Sequence, residues 1–213
     1  MDKKAALAKL ERELTEADLP LKKSANLVFG EGDVNCAVMF IGEAPGFNED
    51  LQKRPFVGRA GKLLDECIKE INWKRADVFI TNIVKRRPPD NRDPTEEEIT
   101  AYKPYLARQI EIINPKVIAT LGRFSMNYFL PLAKISRDHG KIFEFDGRII
   151  FPLYHPAAAL RATAVLNDLK ADFKKLPAVA EGKFAENLPV TEQSATSSVL
   201  NKTADKPAQS KLF

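Results

Sequence analysis

The chain has 213 residues, 44% of them hydrophobic, which is enough for one medium domain with a sizeable core and too few for several large ones. Its 33 Lys and Arg against 29 Asp and Glu leave a net charge of +4, a mild surplus that permits nucleic-acid binding without demanding it. Two cysteines exclude a disulfide framework or a four-thiolate metal site within one chain; no apolar run approaches the ~20 residues that span a bilayer, and Met1-Asp2-Lys3-Lys4 leads into a charged helix, so a cytoplasmic, membrane-free protein is expected.

In chain order, Ala6, Leu7, Leu10 and Leu14 recur at helical spacing and predict a helix over 3–17. The apolar run 36–41, ending at Gly42, predicts a buried strand, and a loop rich in Pro, Gly and charge follows over 43–58. Helical period returns over 60–71 with Leu63, Leu64, Cys67, Ile68 and Ile71, and 77–84 reads as a second strand. The loop 85–94 holds three Pro and four Arg or Lys; three acids then open a helix at 95–98, where they suit its positive end. A third strand is expected over 116–121, a short helix over 123–132, a hairpin around Asp146-Gly147 and a last helix from 156 to 175.

This alternation predicts an α/β protein, a three-layer α/β/α sandwich with a central, mostly parallel sheet. Ligands in such folds bind beyond the carboxyl ends of the strands, which singles out the loops at 42–58, 85–94 and from 155 onward. The expected organisation is an N-terminal helix and lead-in over 1–24, a domain over 25–177, and a disordered tail over 178–213, whose polar composition buries too little to offset ordering entropy.

Each loop carries residues suited to a site and also has a plainer reading. Gly58–Gly61 leads into a helix N-terminus and suits an anion, or is a simple strand-to-helix connection. Asn82 is an amide near the end of an apolar strand; a ligand or a turn hydrogen bond would satisfy it equally. Lys85, Arg86, Arg87 and Arg92 fit phosphate contacts or a solvated face. His155, one of only two histidines, precedes Pro156 at a strand end, which is not a typical core position.

Taken in order, Val28-Phe29-Gly30-Glu31-Gly32, Gly42-Glu43-Ala44-Pro45-Gly46, Arg54-Pro55-Phe56-Val57-Gly58-Arg59-Ala60-Gly61, Thr81-Asn82-Ile83-Val84-Lys85, Arg87-Pro88-Pro89, Asn91-Arg92, Leu121-Gly122 and His155-Pro156-Ala157 resemble the uracil-DNA glycosylase superfamily, closest to its family 4. The resemblance implies an enzyme of base excision repair that flips uracil out of single- or double-stranded DNA and hydrolyses its glycosidic bond. It implies uracil contacts from Phe56, Asn82, Gly42 and Ala44, and catalysis by His155 with Glu43 and Asn91 about the water. It also implies DNA contacts from Lys85, Arg87 and Arg161. Leu160 is either a wedge in the duplex or a packed residue. The alternative is a superfamily member that binds DNA without catalysis or with altered specificity.

Family 4 members usually hold an iron–sulfur cluster on four cysteines. Here the third cysteine position is Arg86 and the fourth aligns with Tyr102, and no Cys precedes Cys36, so no cluster and no metal are expected. A different likeness lies at Gln209-Ser210-Lys211-Leu212-Phe213, similar to the Gln-x-x-Leu-Phe peptide with which bacterial repair and replication proteins bind the sliding clamp. Gln209, Leu212 and Phe213 are its expected contacts, on a monomeric enzyme.

Overall fold

The computed structural model describes residues 2–183. Four short strands, β2 (Val38–Gly42), β3 (Phe79–Asn82), β4 (Val117–Leu121) and β6 (Arg148–Leu153), run parallel. β1 (Glu31–Gly32) and β5 (Phe143–Phe145) add antiparallel edges, giving the order β1-β3-β2-β4-β6-β5. Every residue of β2, β3 and β4 is buried; β2 and β4 accordingly read as nearly continuous apolar runs, while β3 ends in the buried polar pair Thr81 and Asn82.

The two sheet faces carry separate cores. Val38 and Phe40 point to one face, with α3 (Arg59–Glu70), α8 (Thr163–Phe173) and α9 (Leu176–Ala180); Phe40 and Phe173 stack there with centroids 5.6 Å apart. Met39 and Ile41 point to the other, with α1 (Lys3–Glu16), α4 (Glu96–Ile113) and α5 (Arg123–Phe129). Three short helices, α2 (Phe47–Gln52), α6 (Ile135–Asp138) and α7 (Pro156–Ala159), lie in connections. Among the described residues no helix is long and apolar enough to cross a membrane.

Local signals explain several boundaries. Asp2 caps α1 by accepting from the Lys4 and Ala5 amides. Thr95 and Glu98 close a reciprocal capping box on α4. Asp146 and Gly147 both take positive φ, 51° and 69°, as a two-residue hairpin turn requires.

Two expectations need correcting. The last helix is not continuous over 156–175: Ala162 is extended (φ −147°), so α7 ends before α8 begins. The packed chain does not stop at 177, because Pro177 sits in the first turn of α9, where its missing N–H costs nothing, and Leu176 and Val179 are buried. The N-terminal helix packs by its apolar face: Leu7, Leu10 and Leu14 are buried in the core shared with α4.

Candidate active site

The carboxyl ends of the parallel strands converge on a cavity of about 560 Å³. Gly42 ends β2 and lies in register with Asn82 at the end of β3. Gly122 follows β4, and His155 follows β6. The sheet reverses its winding between β2 and β4, so the helices that follow these neighbouring strands, α3 and α5, lie on opposite faces and leave a crevice at the strand ends.

Glycine at 42 makes room for two side chains. A Cβ there would lie 2.4 Å from Asn82 Oδ1 and 2.6 Å from Phe56 Cζ. Asn82 lines the cavity and is 1% exposed, and its Oδ1 is buried beside Gly42 with no hydrogen-bond partner among the described residues. The Phe56 ring lies 5.7 Å from the His155 ring, tilted by 32°. At His155, Nδ1 accepts from the Ala157 amide at 3.1 Å, which assigns the proton to Nε2. Burial pushes the imidazole pKa down to about 4, opposed by the Glu49 charge, so the ring is neutral at neutral pH. Gly122, at φ 90°, lets the ring approach, since a Cβ there would meet His155 Cβ at 2.9 Å.

Ala44 lines the cavity beside Glu43. Burial raises the Glu43 carboxyl to about 7; Asp93 pushes it further up and Arg123 opposes. Asn91 also lines the cavity, and its Oδ1 accepts from Arg87 Nε at 2.7 Å. Arg87 lies over the Phe47 ring, 5.2 Å from its centroid. Arg161 is exposed at the rim, and Leu160 is 42% exposed beyond α7.

One expected DNA contact is displaced. Lys85 is fully buried, and its Nζ donates to Thr81 Oγ1 and Gln109 Oε1, both at 2.6 Å. Burial without a counter-charge drives its pKa well below the usual lysine range. A side chain so enclosed does not reach a phosphate. Reading the residues alone also passed over Glu49, Tyr154 and Arg123, which line the cavity. Glu49 looks like an ordinary surface charge in sequence, and only its contact with the Val57 and Gly58 amides turns it inward, whereas Arg123 stays exposed at the rim, paired with Asp93. Gln209, Leu212 and Phe213 lie outside the described residues.

A Gly-rich loop, a buried amide, an aromatic ring and a neutral imidazole thus meet around one crevice of an α/β sandwich. The Uracil DNA glycosylase superfamily profile matches residues 29–176, and the chain belongs to this superfamily. Within it, the chain is 52% identical over 165 residues to the type-4 uracil-DNA glycosylase of Sulfurisphaera tokodaii, covering 73% of this chain and 75% of that one. It is 48% identical over 168 residues to the type-4 uracil-DNA glycosylase of Saccharolobus solfataricus, covering 74% and 78%. It is 44% identical over 164 residues to that of Archaeoglobus fulgidus, covering 73% and 82%.

The iron–sulfur cluster of family 4 does not fit these residues. Cys36 and Cys67 are buried in different cores, on opposite faces of the sheet. At the two cluster positions read from the sequence, Arg86 Nη1 donates to Ala25 O at 2.7 Å and Tyr102 Oη donates to Pro20 O at 2.6 Å. Among the described residues no three His, Cys, Asp or Glu gather as a metal site.

Proposed function

We infer that this protein is a uracil-DNA glycosylase of DNA repair, hydrolysing the bond between uracil and deoxyribose and leaving an abasic site. The observation that carries this reading is the buried Asn82 amide, its Oδ1 without a partner among the described residues, lining the same cavity as Phe56 and His155. Uracil presents an N3–H donor and an O4 acceptor, and the Asn82 amide offers an acceptor and a donor in return. Cytosine reverses both, leaving buried groups unpaired on each side. Phe56 supplies a flat apolar surface for the flipped ring, which rewards any base and leaves identity to Asn82.

As the bond breaks, negative charge grows on uracil O2 and positive charge on the sugar. Nε2–H of the neutral His155 donates to O2, and this bond strengthens as the charge develops. A preorganised donor of this kind contributes roughly 2.7–4 kcal/mol in favourable cases. Backbone amides of the Gly42–Gly46 loop add further donors. Glu43 and Asn91 orient the attacking water, and Ala44 borders the base. Arg87 and Arg161 hold the phosphates of single- or double-stranded DNA, with Leu160 against the gap left by the base.

The test is release of uracil from U·G, U·A and single-stranded oligonucleotides, read as alkali-sensitive strand breaks. Wild-type protein should release uracil from all three, and His155→Ala should lose the chemical step while keeping DNA affinity. No break with any substrate sinks the reading.

On its sequence alone, Gln209-Ser210-Lys211-Leu212-Phe213 is proposed as a ligand for a bacterial sliding clamp. A peptide of residues 204–213 should bind the clamp and lose binding when Leu212 and Phe213 are both replaced by alanine.

A further inference from the structure

The ring of Phe56 faces the cavity, but the backbone beneath it is held from elsewhere. Phe56 has φ 49°, in the left-handed region that a non-glycine residue enters only when its surroundings compel it. Four successive backbone groups are fixed by two side chains. Arg75 Nη1 donates to Phe56 O at 3.2 Å, and Nη2 donates to Pro55 O. From the other side, Glu49 Oε1 accepts from Val57 N at 2.9 Å and from Gly58 N at 2.7 Å. Gly61 on α3 closes the space below, where a Cβ would lie 1.9 Å from Phe56 O.

Arg75 is itself anchored twice. Its Nε donates to Glu31 Oε1 at 3.0 Å, and Nη1 donates to Asp65 Oδ1 at 2.6 Å. It lies in the turn Arg75–Asp77, before β3, and does not line the cavity.

We propose that Arg75 is a positioning residue for uracil excision: its guanidinium holds the Pro55 and Phe56 carbonyls so that the Phe56 ring stands ready, in a backbone conformation it would otherwise leave. The guanidinium suits the task because its planar fork gives several donors in fixed directions, two for carbonyls and two for carboxylates. An ammonium is a single point and cannot span the same set. Without the fork the Phe56 backbone relaxes toward the common regions and swings the ring out of register with Asn82. The consequence is a loss of activity felt only through that ring.

This inference rests on the reading of Phe56 as the uracil-stacking residue, and a double-substitution cycle separates the two. Single-turnover uracil release is measured for wild type, Arg75→Ala, Phe56→Ala and the double variant, with thermal melting of each. Arg75→Ala should slow release by about tenfold in the intact background and by less than about twofold once the ring is gone, the non-additivity expected of coupled neighbours. Equal losses in both backgrounds, or no loss in either, overturn the positioning role. Undiminished release by Phe56→Ala alone overturns the stacking reading instead, and the inference falls with it. Arg75→Lys, which keeps a charge beside Glu31 and Asp65, takes the place of Arg75→Ala if that variant does not fold. It should show the same pattern, and full activity of Arg75→Lys counts against the need for the fork.

Discussion

A methyl group at position 42 would stand 2.4 Å from the Asn82 acceptor and 2.6 Å from the Phe56 ring, so the pocket tolerates no side chain where β2 ends. Gly42→Ala should therefore displace both groups and slow single-turnover release by about 100-fold, the cost typical of an ångström-scale misplacement, and lower the melting temperature through the roughly 1–3 kcal/mol of stability that overpacking costs. Asn82→Asp removes the donor to O4 and should slow uracil release by about 100-fold or more while narrowing the preference over cytosine, since a buried mismatched polar pair governs such discrimination; paired uracil and cytosine oligonucleotides check it. The two titrating groups act oppositely. Glu43, raised to about 7, keeps a proton in the folded chain that the unfolded chain has released, so its contribution to stability is full below the ordinary carboxyl range and is lost as pH rises through 7. The carboxylate forms over the same interval, so if it orients the water, as proposed, release should rise between about pH 6 and 8, and Glu43→Gln should flatten that limb in a pH–rate profile. His155, lowered to about 4, stays neutral across that interval. Its burial costs stability only as pH falls from the ordinary histidine range toward 4, where the unfolded chain takes up a proton first.

At the scale of elements, the segment between α1 and β1 hangs on a few directed bonds. Arg86 holds Ala25 O, Tyr102 holds Pro20 O, and the Asn26 amide donates to Asp50 Oδ1 at 2.7 Å. Burial raises the Tyr102 hydroxyl to about 12, so it remains a donor at any ordinary pH. Arg86→Ala removes a charged donor worth roughly 1.5–3 kcal/mol. It should lower the melting temperature by about 3–12 °C for a chain of this size, with new protease cleavage between residues 17 and 27 as the local readout. Much of this layer was legible beforehand: continuous apolar runs gave β2 and β4, and Asp146-Gly147 gave the hairpin. What escaped had no local mark. Neither glycine nor proline signals the break at Ala162, and Pro177, which looks like a terminator, begins a helix because its first-turn position needs no N–H. Among the site residues, Asn82 and His155 stood out as polar groups at strand ends. Lys85 misled because a lysine beside Arg86 and Arg87 looks exposed, whereas the backbone turns its side chain back to Gln109 on α4.

For the whole molecule, that inward turn predicts which charges meet DNA. Arg161→Ala should lessen the salt dependence of DNA binding by about one unit of log–log slope, whereas Lys85→Met should leave it unchanged, because only a charge that displaces a counterion contributes; affinities over a salt series decide. The pocket also has a history written into its topology. Gly42, Asn82, Gly122 and His155 come from the ends of four strands, and the last of these, β6, pairs with β4 only after more than two-thirds of the chain has been made. A growing chain on the ribosome thus has no complete base-binding crevice, even with three of its parallel strands complete. The cavity gains its His155 wall only when β6 joins the sheet, so a half-made chain holds the other sides of the site and lacks the imidazole.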